Sequence, residues 1–392
     1  MVERAHGARK IRETDYMIKA APLALIALLT FGPSTLAATP DIHAHRGGTV
    51  QNGTARFGEE SLRAYRTAAL NGFVLEVDAK LTEDGVPVAI HDATLDRTTT
   101  CSGEVRTFTL AELRACRIDA PAGRDPIITI ERLLRLARTT GSKVNLEIKN
   151  VPTDSDFDST PAFANRVMDA VLASRIPRRQ LIVQSFIAPN LDVARQRLPG
   201  VTTSLLAIQA INEPYLQAAA DNGYDLISPE WPVSADYVRR AHAMRLDVAP
   251  FTLNAAADVR AASRAGVDAL ITDDPLMAGL ALGVRPLRRF AAGAVIHGTR
   301  LIAAGRLGLP IGVGRTDGCR GTVTMRVMTK ARLVRTARGR VGPGCRFRFS
   351  TRRTPPRLGA PVVTIRFNGN SVLLPQLDGP ERAVLAPPRV VP

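Results

Sequence analysis

The chain has 392 residues, enough to bury a large core and to form two or three domains. Its hydrophobic content of 45% is ordinary for a soluble globular protein. The formal net charge is +16, but residues 281–392 hold 21 Lys and Arg against 3 Asp and Glu, a balance of +18 that leaves −2 for the rest. Because the basic character belongs to the tail alone, composition argues against nucleic-acid binding by the whole protein.

The first 38 residues have the pattern of a secretory signal. Basic residues precede the uncharged run Ala20–Phe31, and small residues follow it at Thr35–Ala38. The run is too short for a transmembrane helix, which needs roughly 20 apolar residues. We therefore expect a signal peptide over residues 1–38, with Met17 as an alternative start, and a protein that is secreted or held at the cell surface. A buried N-terminal helix is the weaker alternative.

Between Ile42 and Leu280, short apolar runs alternate with segments of helical periodicity. This alternation predicts parallel β-α units, and eight such units predict a closed (β/α)8 TIM barrel over residues 39–282. The absence of a glycine-rich loop after the first strand argues against a Rossmann fold. The predicted strands are Ile42–His45, Phe73–Val77, Val144–Ile148, Leu181–Gln184, Thr202–Leu206, Leu226–Ser228, Asp247–Phe251 and Ala269–Thr272. The predicted helices are Ser61–Leu70, Pro161–Ala173, Ala188–Arg197, Asn212–Asp221, Ser234–Ala243 and Ala255–Ala265.

One region interrupts this alternation. Asp84-Gly85 lies between two apolar alternating runs and predicts a β-hairpin. The polar segment Thr94–Pro126 that follows predicts a small cap on the barrel mouth. Cys101 and Cys116 form a local pair inside it, without metal-site spacing. In an exported chain this pair favours a disulfide, which would stabilise the fold by roughly 3 kcal/mol.

The sequence changes character again beyond Val284. Period-2 alternation between Gly- and Pro-rich turns predicts a small antiparallel β-sandwich over residues 315–392, with residues 283–314 as a junction. Within that junction we predict partly helical structure over Arg285–Leu309. The second cysteine pair, Cys319 with Cys345, favours a second disulfide. The predicted strands are Thr322–Met328, Ala331–Thr336, Arg346–Thr351 and Val362–Phe367.

The basic tail also predicts a partner. A basic exported domain suits contact with an anionic lipid surface or a cell-wall polymer. A basic surface kept only for solubility is an equally good interpretation of the same charge.

Three carboxylates lie at the ends of predicted strands. Glu76 and Asp78 are two residues apart, so both face the same side of a strand, and Glu147 ends the next major strand. Any one alone would more often be a structural ion-pair partner, but strand ends of a barrel converge on one face. Neighbouring carboxylates repel unless a cation lies between them, and hard oxygen donors favour Ca²⁺ or Mg²⁺ over Zn²⁺. We therefore predict one divalent cation, Ca²⁺ or Mg²⁺, bound by these three acids.

Two histidines and two basic side chains follow the same predicted strand ends as the three acids. His45 and His91 each end a strand-like run at the predicted mouth, where two imidazoles can act as acid and base on a bound phosphoester. His43 lies two residues deeper in its strand and is interpreted as structural. Arg46 can grip phosphate oxygens in a bidentate way, and Lys149 can supply a point charge.

An ordered set of motifs carries a resemblance to a known family. The motifs are His45-Arg46-Gly47, Glu59, Ser61-Leu62, Glu76-Val77-Asp78, Asp84-Gly85, His91-Asp92, Leu95, Arg97-Thr98-Thr99, Glu147-Ile148-Lys149, Gln184-Ser185-Phe186, Thr252-Leu253-Asn254 and Ile271-Thr272-Asp273-Asp274-Pro275. Together they resemble the glycerophosphodiester phosphodiesterase family over about residues 41–280. The resemblance implies a barrel with an inserted cap, His45 and His91 as the acid/base pair, the three acids as metal ligands, and phosphate binding by Arg46 and Lys149.

The chain departs from the family pattern at three places. Gly58-Glu59-Glu60-Ser61 stands where the family usually has Pro-Glu-Asn-Thr, and Glu59 is expected to support substrate binding as a hydrogen-bond acceptor. Phe251-Thr252 replaces Trp-Thr, and an extra loop, Thr49–Phe57, lies beside the mouth. The β-rich tail lies outside the core family pattern, as in secreted bacterial members with added modules.

The sequence thus predicts a secreted, metal-dependent enzyme that hydrolyses glycerophosphodiesters to sn-glycerol 3-phosphate and an alcohol. Water or the glycerol 2-hydroxyl could be the attacking group. A phospholipase D-like lyase acting on lysophospholipid or sphingomyelin is the first alternative, and the cap argues against it. A non-catalytic barrel that binds wall or lipid is the second, and the intact histidines, acids and Arg46 argue against that.

Overall fold

A computed structural model describes residues 39–208, 213–329, 332–352, 361–382 and 384–385. The predicted signal peptide at residues 1–38 lies outside the described residues. Within the described part of the chain, no helix is both long enough and apolar enough to cross a membrane.

Eight parallel strands form the predicted TIM barrel. They are β1 (Asp41–Ala44), β2 (Val74–Leu81), β3 (Val144–Ile148), β4 (Leu181–Ser185), β5 (Thr202–Ala207), β6 (Leu226–Pro229), β7 (Asp247–Val248) and β8 (Ala269–Thr272). Strands hydrogen-bond in the order β7-β6-β5-β4-β3-β2-β1-β8. Backbone hydrogen bonds from Asp268 N to Val248 O (3.0 Å) and from Ile271 N to Pro250 O (2.9 Å) join β7 to β8. The sheet thereby closes on itself.

The barrel strands are buried on both faces, which explains their near-continuous apolar character. In β3, Val144, Leu146 and Ile148 belong to the main hydrophobic core. The alternate residues Asn145 and Glu147 are equally buried but face the other way, into the barrel. Their polarity therefore marks the interior of the barrel, where functional side chains can be held.

Helices surround the barrel, and several begin at a side-chain cap. Ser61 accepts a hydrogen bond from Ala64 N at the start of the first helix, and Thr129 and Asp274 cap two helices that the sequence analysis did not assign. The helices are α1 (Leu62–Leu70), α2 (Leu110–Leu113), α3 (Ile130–Thr140), α4 (Ala162–Ser174), α5 (Ala188–Arg197), α6 (Glu213–Asp221), α7 (Ala235–Ala243), α8 (Ala256–Ala265), α9 (Pro275–Ala281) and α10 (Arg315–Gly318).

The interruption after β2 folds as the motifs predict. The end of β2 pairs antiparallel with the short strand Pro87–Ala89, which makes the hairpin at Asp84-Gly85. The following insertion has its own small apolar cluster, which includes Leu95, Val105 and Leu113. Cys101 and Cys116 are joined in a disulfide, as predicted.

The C-terminal residues form two packed four-stranded sheets. In the outer sheet the strands lie in the order Arg346–Arg352, Arg300–Gly308, Arg289–His297 and Val384–Leu385. In the inner sheet the order is Arg332–Arg340, Thr322–Thr329, Val362–Phe367 and Gln376–Arg382. Apolar residues from both sheets, including Leu301, Val323 and Phe347, form the core between them, and Cys319–Cys345 is a disulfide. The strands are β9 (Arg289–His297), β10 (Arg300–Gly308), β11 (Thr322–Thr329), β12 (Arg332–Arg340), β13 (Arg346–Arg352), β14 (Val362–Phe367), β15 (Gln376–Arg382) and β16 (Val384–Leu385).

The prediction of partly helical structure over Arg285–Leu309 is wrong. This segment forms β9 and β10, a hairpin of two nine-residue strands. Phe290, Ile296, Leu301 and Leu307 contribute to the sandwich core, and β13 completes the backbone ladder of β10. Pairing with a strand that is distant in sequence therefore decides the structure of this segment.

The inner sheet packs against the end of the barrel where the parallel strands begin. Arg326 Nη2 donates to Arg138 O (2.9 Å), and Arg366 donates to Gly141 O and Gly72 O (both 3.2 Å). Gly72 and Gly141 lie just before β2 and β3. The two C-terminal sheets, β9 to β16, which we call the β-module, are therefore on the opposite end of the barrel from the carboxyl ends of the barrel strands.

Candidate active site

A cavity of about 560 Å³ opens at the carboxyl ends of the barrel strands. It brings together seven of the eight predicted site residues, namely His45, Arg46, Glu76, Asp78, His91, Glu147 and Lys149. Glu59, the eighth, does not line the cavity but accepts a hydrogen bond from Arg46 Nη1. Val151, Phe186 and Phe251 add apolar surface to the walls.

The three predicted metal ligands converge. One carboxylate oxygen from each of Glu76, Asp78 and Glu147 can be chosen so that all three lie within 4.8 Å of one another, and all three residues are buried. Glu76 is held on both oxygens, because Oε2 accepts from Arg46 N (2.8 Å) and Oε1 from Gln184 Nε2 (2.9 Å).

The pKa values of the three acids are strongly shifted by their surroundings. Burial, together with the charge of Asp78, raises the pKa of Glu76 to about 7. Burial also raises the pKa of Glu147 well above its usual range, although Lys149 opposes this. Burial acts in the same direction on Asp78, but the charges of Lys149, His91 and Arg46 outweigh it and hold the pKa of Asp78 below its usual range. Negative charge is therefore crowded at this point.

The donor set fits a hard divalent cation. Asp78 Oδ2 and Glu147 Oε1 are buried and accept no hydrogen bond of good geometry, although Lys149 Nζ lies 3.1 Å from Glu147 Oε1. Oxygen atoms of crowded carboxylates are the ligands that Ca²⁺ and Mg²⁺ prefer. A cation among them would relieve the repulsion that raises the pKa of Glu76.

His45 is placed by a tight turn directly after β1. His45–Gly47 form a single 3-10 turn in which Arg46 has φ 51° and Gly47 has φ 92°. A Cβ atom at Gly47 would lie 2.8 Å from Ala64 Cβ, so a larger residue cannot occupy this position without a shift. His45 Nδ1 lies 2.6 Å from Asp273 Oδ1 at the end of β8, which leaves Nε2 as the nitrogen available for proton transfer.

His91 is held in the same manner by its chain neighbour. Its Nδ1 lies 2.6 Å from Asp92 Oδ1, and Arg97 Nε donates to Asp92 Oδ2 at 2.6 Å. The pKa values of the two histidines are shifted in opposite directions. Burial lowers the pKa of His91, and the charges of Lys149 and Arg46 lower it further against the opposing effect of Asp78. Burial would also lower the pKa of His45, but the hydrogen bond to Asp273 and the charge of Glu76 raise it above its ordinary value.

The two predicted phosphate-binding residues lie on either side of Asp78. Arg46 Nε is 3.4 Å from Asp78 Oδ2, and Lys149 Nζ is 3.7 Å from Asp78 Oδ1. Glu59 Oε2 accepts from Arg46 Nη1 (2.8 Å), and Glu59 Oε1 accepts from Arg97 Nη1 (2.6 Å). Glu59 thus orients the guanidinium of Arg46 as a supporting acceptor.

Several residues that complete the site had no role predicted from the sequence. Asp273, Asp92 and Gln184 appeared there only as parts of motifs, yet each holds a predicted site residue through a hydrogen bond. Glu60 is buried as well and accepts from Asp78 N at 3.1 Å and from the Tyr65 hydroxyl. Asp273 could have been predicted as a site residue, because it directly follows the last barrel strand, at the end of the barrel where the other site residues lie.

His43 lies inside the barrel and not in the cavity. Its Nδ1 is 3.3 Å from Asn145 Nδ2, and burial lowers its pKa to about 4. Its position below the mouth agrees with a structural role.

The fold and the cavity define a TIM-barrel enzyme built to act on an anionic ester. Residues 45–277 match the glycerophosphoryl diester phosphodiesterase family, and the chain belongs to that family. Its activity is that of a glycerophosphodiester phosphodiesterase, a phosphoric diester hydrolase.

Similar proteins are named as glycerophosphodiester phosphodiesterases. A glycerophosphodiester phosphodiesterase of Bacillus altitudinis is 29% identical over 244 residues, which cover 60% of this chain and 94% of that protein. One from Caldanaerobacter subterraneus subsp. tengcongensis is 28% identical over 237 residues, covering 59% of this chain and 93% of the relative.

Solved structures show the same barrel. A structure described as a putative glycerophosphoryl diester phosphodiesterase from Silicibacter pomeroyi has a TM-score of 0.53 and 25% identity, and covers 62% of this chain and 92% of its own. An Oleispira antarctica phosphodiesterase, solved in complex with the product sn-glycerol-3-phosphate, has a TM-score of 0.52 and 23% identity. The match covers 62% of this chain and 97% of that protein.

Proposed function

We propose that this chain is a secreted, metal-dependent enzyme that hydrolyses glycerophosphodiesters to sn-glycerol 3-phosphate and an alcohol through two histidines. One observation carries the proposal: three buried carboxylates that meet within 4.8 Å line the same cavity as His45 and His91. The Oleispira antarctica enzyme, which has a similar fold and holds sn-glycerol-3-phosphate, supports this product.

Glu76, Asp78 and Glu147 would hold one divalent cation, Ca²⁺ or Mg²⁺. When bound, such an ion supplies positive charge that polarises a phosphoryl oxygen and stabilises charge on the five-coordinate phosphorus. Arg46 and Lys149 border Asp78 and would bind the remaining phosphate oxygens, with Arg46 oriented by Glu59.

The two histidines divide the proton transfers. His45, whose pKa is raised, would donate a proton to the leaving alcohol oxygen, and Asp273 would stabilise its charged form. His91, whose pKa is lowered, would be neutral and accept the proton of the attacking group, which is water or the glycerol 2-hydroxyl.

The Asp273→Asn variant should change the pH dependence of the reaction. Asp273 raises the pKa of His45, so its loss lowers that pKa. An acid catalyst is lost as pH rises through its pKa, and the high-pH limb of the kcat profile should therefore move to lower pH. Profiles of Asp273→Asn and of an Asp268→Asn control, which removes a carboxylate paired with exposed His242, would check this. An unmoved high-pH limb would contradict the role of His45 as the acid.

Removal of the metal is the test of the proposal as a whole. Purified protein should release glycerol 3-phosphate from glycerophosphocholine, lose this turnover in EDTA, and regain it with Ca²⁺ or Mg²⁺. Turnover that is unaffected by EDTA would contradict the metal role of the three acids. Accumulation of a cyclic phosphate as the final product would favour the lyase alternative. A protein silent with both ions would favour a larger substrate or the non-catalytic binding barrel.

Export is supported by the pattern of residues 1–38 and by the two disulfides, since disulfides persist in oxidising compartments.

For the basic β-module we propose contact with an anionic lipid surface or a cell-wall polymer. Its net positive charge supports this contact.

A further inference from the structure

The outer sheet of the β-module presents one face to solvent at the far end of the molecule. Its inward residues, such as Leu301, Ala303 and Phe347, pack on the inner sheet, and the inner sheet packs on the barrel. The residues that alternate with them on β9, β10 and β13 therefore point away from the barrel. This face lies opposite the active-site mouth.

Arginine provides nearly all the charge of this face. We define the outer arginine face by the six exposed residues Arg289, Arg300, Arg306, Arg346, Arg348 and Arg352. Arg306 pairs across the strands with Arg346, and Arg300 pairs with Arg352. Like charges directly opposite each other in a sheet are destabilising. Among the described residues of these three strands there is no Asp or Glu, so nothing within the sheet offsets this repulsion.

A cavity continues the face at one end. It has a volume of about 440 Å³ and is lined by four arginines, Arg288, Arg289, Arg306 and Arg315, which we call the arginine cavity. None of its described lining residues is a carboxylate. Within the described chain, none of the four forms an ion pair. Several guanidinium groups around one concavity provide the donors that bind a phosphate group from more than one side.

We infer that the arginine cavity and the outer arginine face bind a linear phosphate-bearing polymer. A polymer is favoured over a bilayer because the cavity can enclose one phosphate while the arginines of β10 and β13 continue as a row along the strands. Arg346 and Arg348 occupy alternate positions of β13, about 7 Å apart, and Arg352 lies four residues further along the same strand, so this strand carries three guanidinium groups that can follow a chain of phosphates. Between the arginines the face carries small residues such as Ala291, Gly293 and Ala304, and no Phe, Tyr or Trp points outward from the described strands.

This inference deepens the proposed contact of the β-module by naming its surface and its ligand. It implies that the polymer holds the enzyme by the end away from the mouth, so that the active site remains open. Because binding and turnover are separate readouts, they can fail independently. Lack of glycerophosphocholine turnover with intact polymer binding would refute the proposed function alone.

The test is binding of fluorescently labelled long-chain inorganic polyphosphate to the full chain, measured by polarisation at several salt concentrations. The variant Arg288→Gln/Arg306→Gln/Arg315→Gln should bind about tenfold or more weakly, with a smaller dependence of log affinity on log salt. The matched control Arg132→Gln/Arg260→Gln/Arg264→Gln removes the same charge from exposed barrel helices and should bind like the original chain. Glycerophosphocholine turnover of both variants should be unchanged.

Three results would overturn the inference. The first is no polyphosphate binding by the unaltered chain, and the second is an equal loss of affinity in both triple variants, since net charge alone would then explain binding. The third is tighter binding to phosphatidylglycerol vesicles than to polyphosphate at equal phosphate concentration. That outcome would assign the face to a bilayer, where Ile311, 90% exposed, could insert. If Arg288→Gln/Arg306→Gln/Arg315→Gln fails to fold, Arg300→Gln/Arg348→Gln/Arg352→Gln tests the row by the same assay.

Discussion

Replacement of either His45 or His91 by Ala is expected to lower kcat for glycerophosphocholine by about 10²–10⁴-fold, the usual contribution of general acid–base catalysis. Both imidazoles line the cavity, and each is oriented by a carboxylate 2.6 Å from its Nδ1. The measurement is steady-state release of glycerol 3-phosphate, with circular dichroism to show that each variant is folded.

The matched control for these variants is His242→Ala. His242 also contacts a carboxylate, Asp268, at 2.8 Å, but it is exposed on α7 outside the barrel. Its replacement should leave kcat unchanged. A comparable loss in all three variants would show that the effect is on folding, and an active His45→Ala or His91→Ala protein would contradict the proposed acid–base roles.

Replacement of Lys80 by Met is expected to lower the free energy of unfolding by about 3–5 kcal/mol, the cost of breaking a buried ion pair. Lys80 is completely buried on β2, with Nζ 2.6 Å from Asp154 Oδ2 and 2.8 Å from Asp156 Oδ1. The Asp156 side chain is only 3% exposed, so removal of the lysine leaves a buried carboxylate without a counter-ion. Urea unfolding of both proteins measures the difference.

Two further variants isolate the cause of that loss. Lys80→Met/Asp156→Asn should recover part of the stability, because the stranded charge is gone. Lys143→Met removes the partner of Asp41 at the surface, where both side chains are about half exposed, and should cost no more than about 1 kcal/mol. Equal losses for Lys80→Met and Lys143→Met would contradict the buried-pair explanation. Because Asp154 lines the active-site cavity, Lys80→Met should also raise KM.

The barrel could be predicted from local sequence patterns because its strands are short apolar runs that are buried on both sides. All eight predicted strands exist, with ends that differ by up to four residues. Glu76 and Asp78 lie on one face of β2, as period-2 alternation requires, and Glu147 pairs with Asp78 in the neighbouring strand. The convergence of the three acids thus followed from strand geometry.

Other features depended on partners that are distant in sequence. The β9–β10 hairpin was mistaken for partly helical structure because the backbone ladder of β10 joins residues that are far apart in sequence, such as Arg306 and Arg346. Asp273 reaches His45 across 228 residues, and Gln184 reaches Glu76 across 108. No local pattern encodes such contacts.

The sequence by itself determined the alternation of strands and helices, the family and the residue types of the site, because periodicity and motif order are local properties of the chain. Only the tertiary structure decided which groups hold the histidines and acids in place, and that the β-module covers the end of the barrel opposite the mouth. It also decided that the arginines of β9, β10 and β13 share one face, because hydrogen bonding between strands brings distant residues into register.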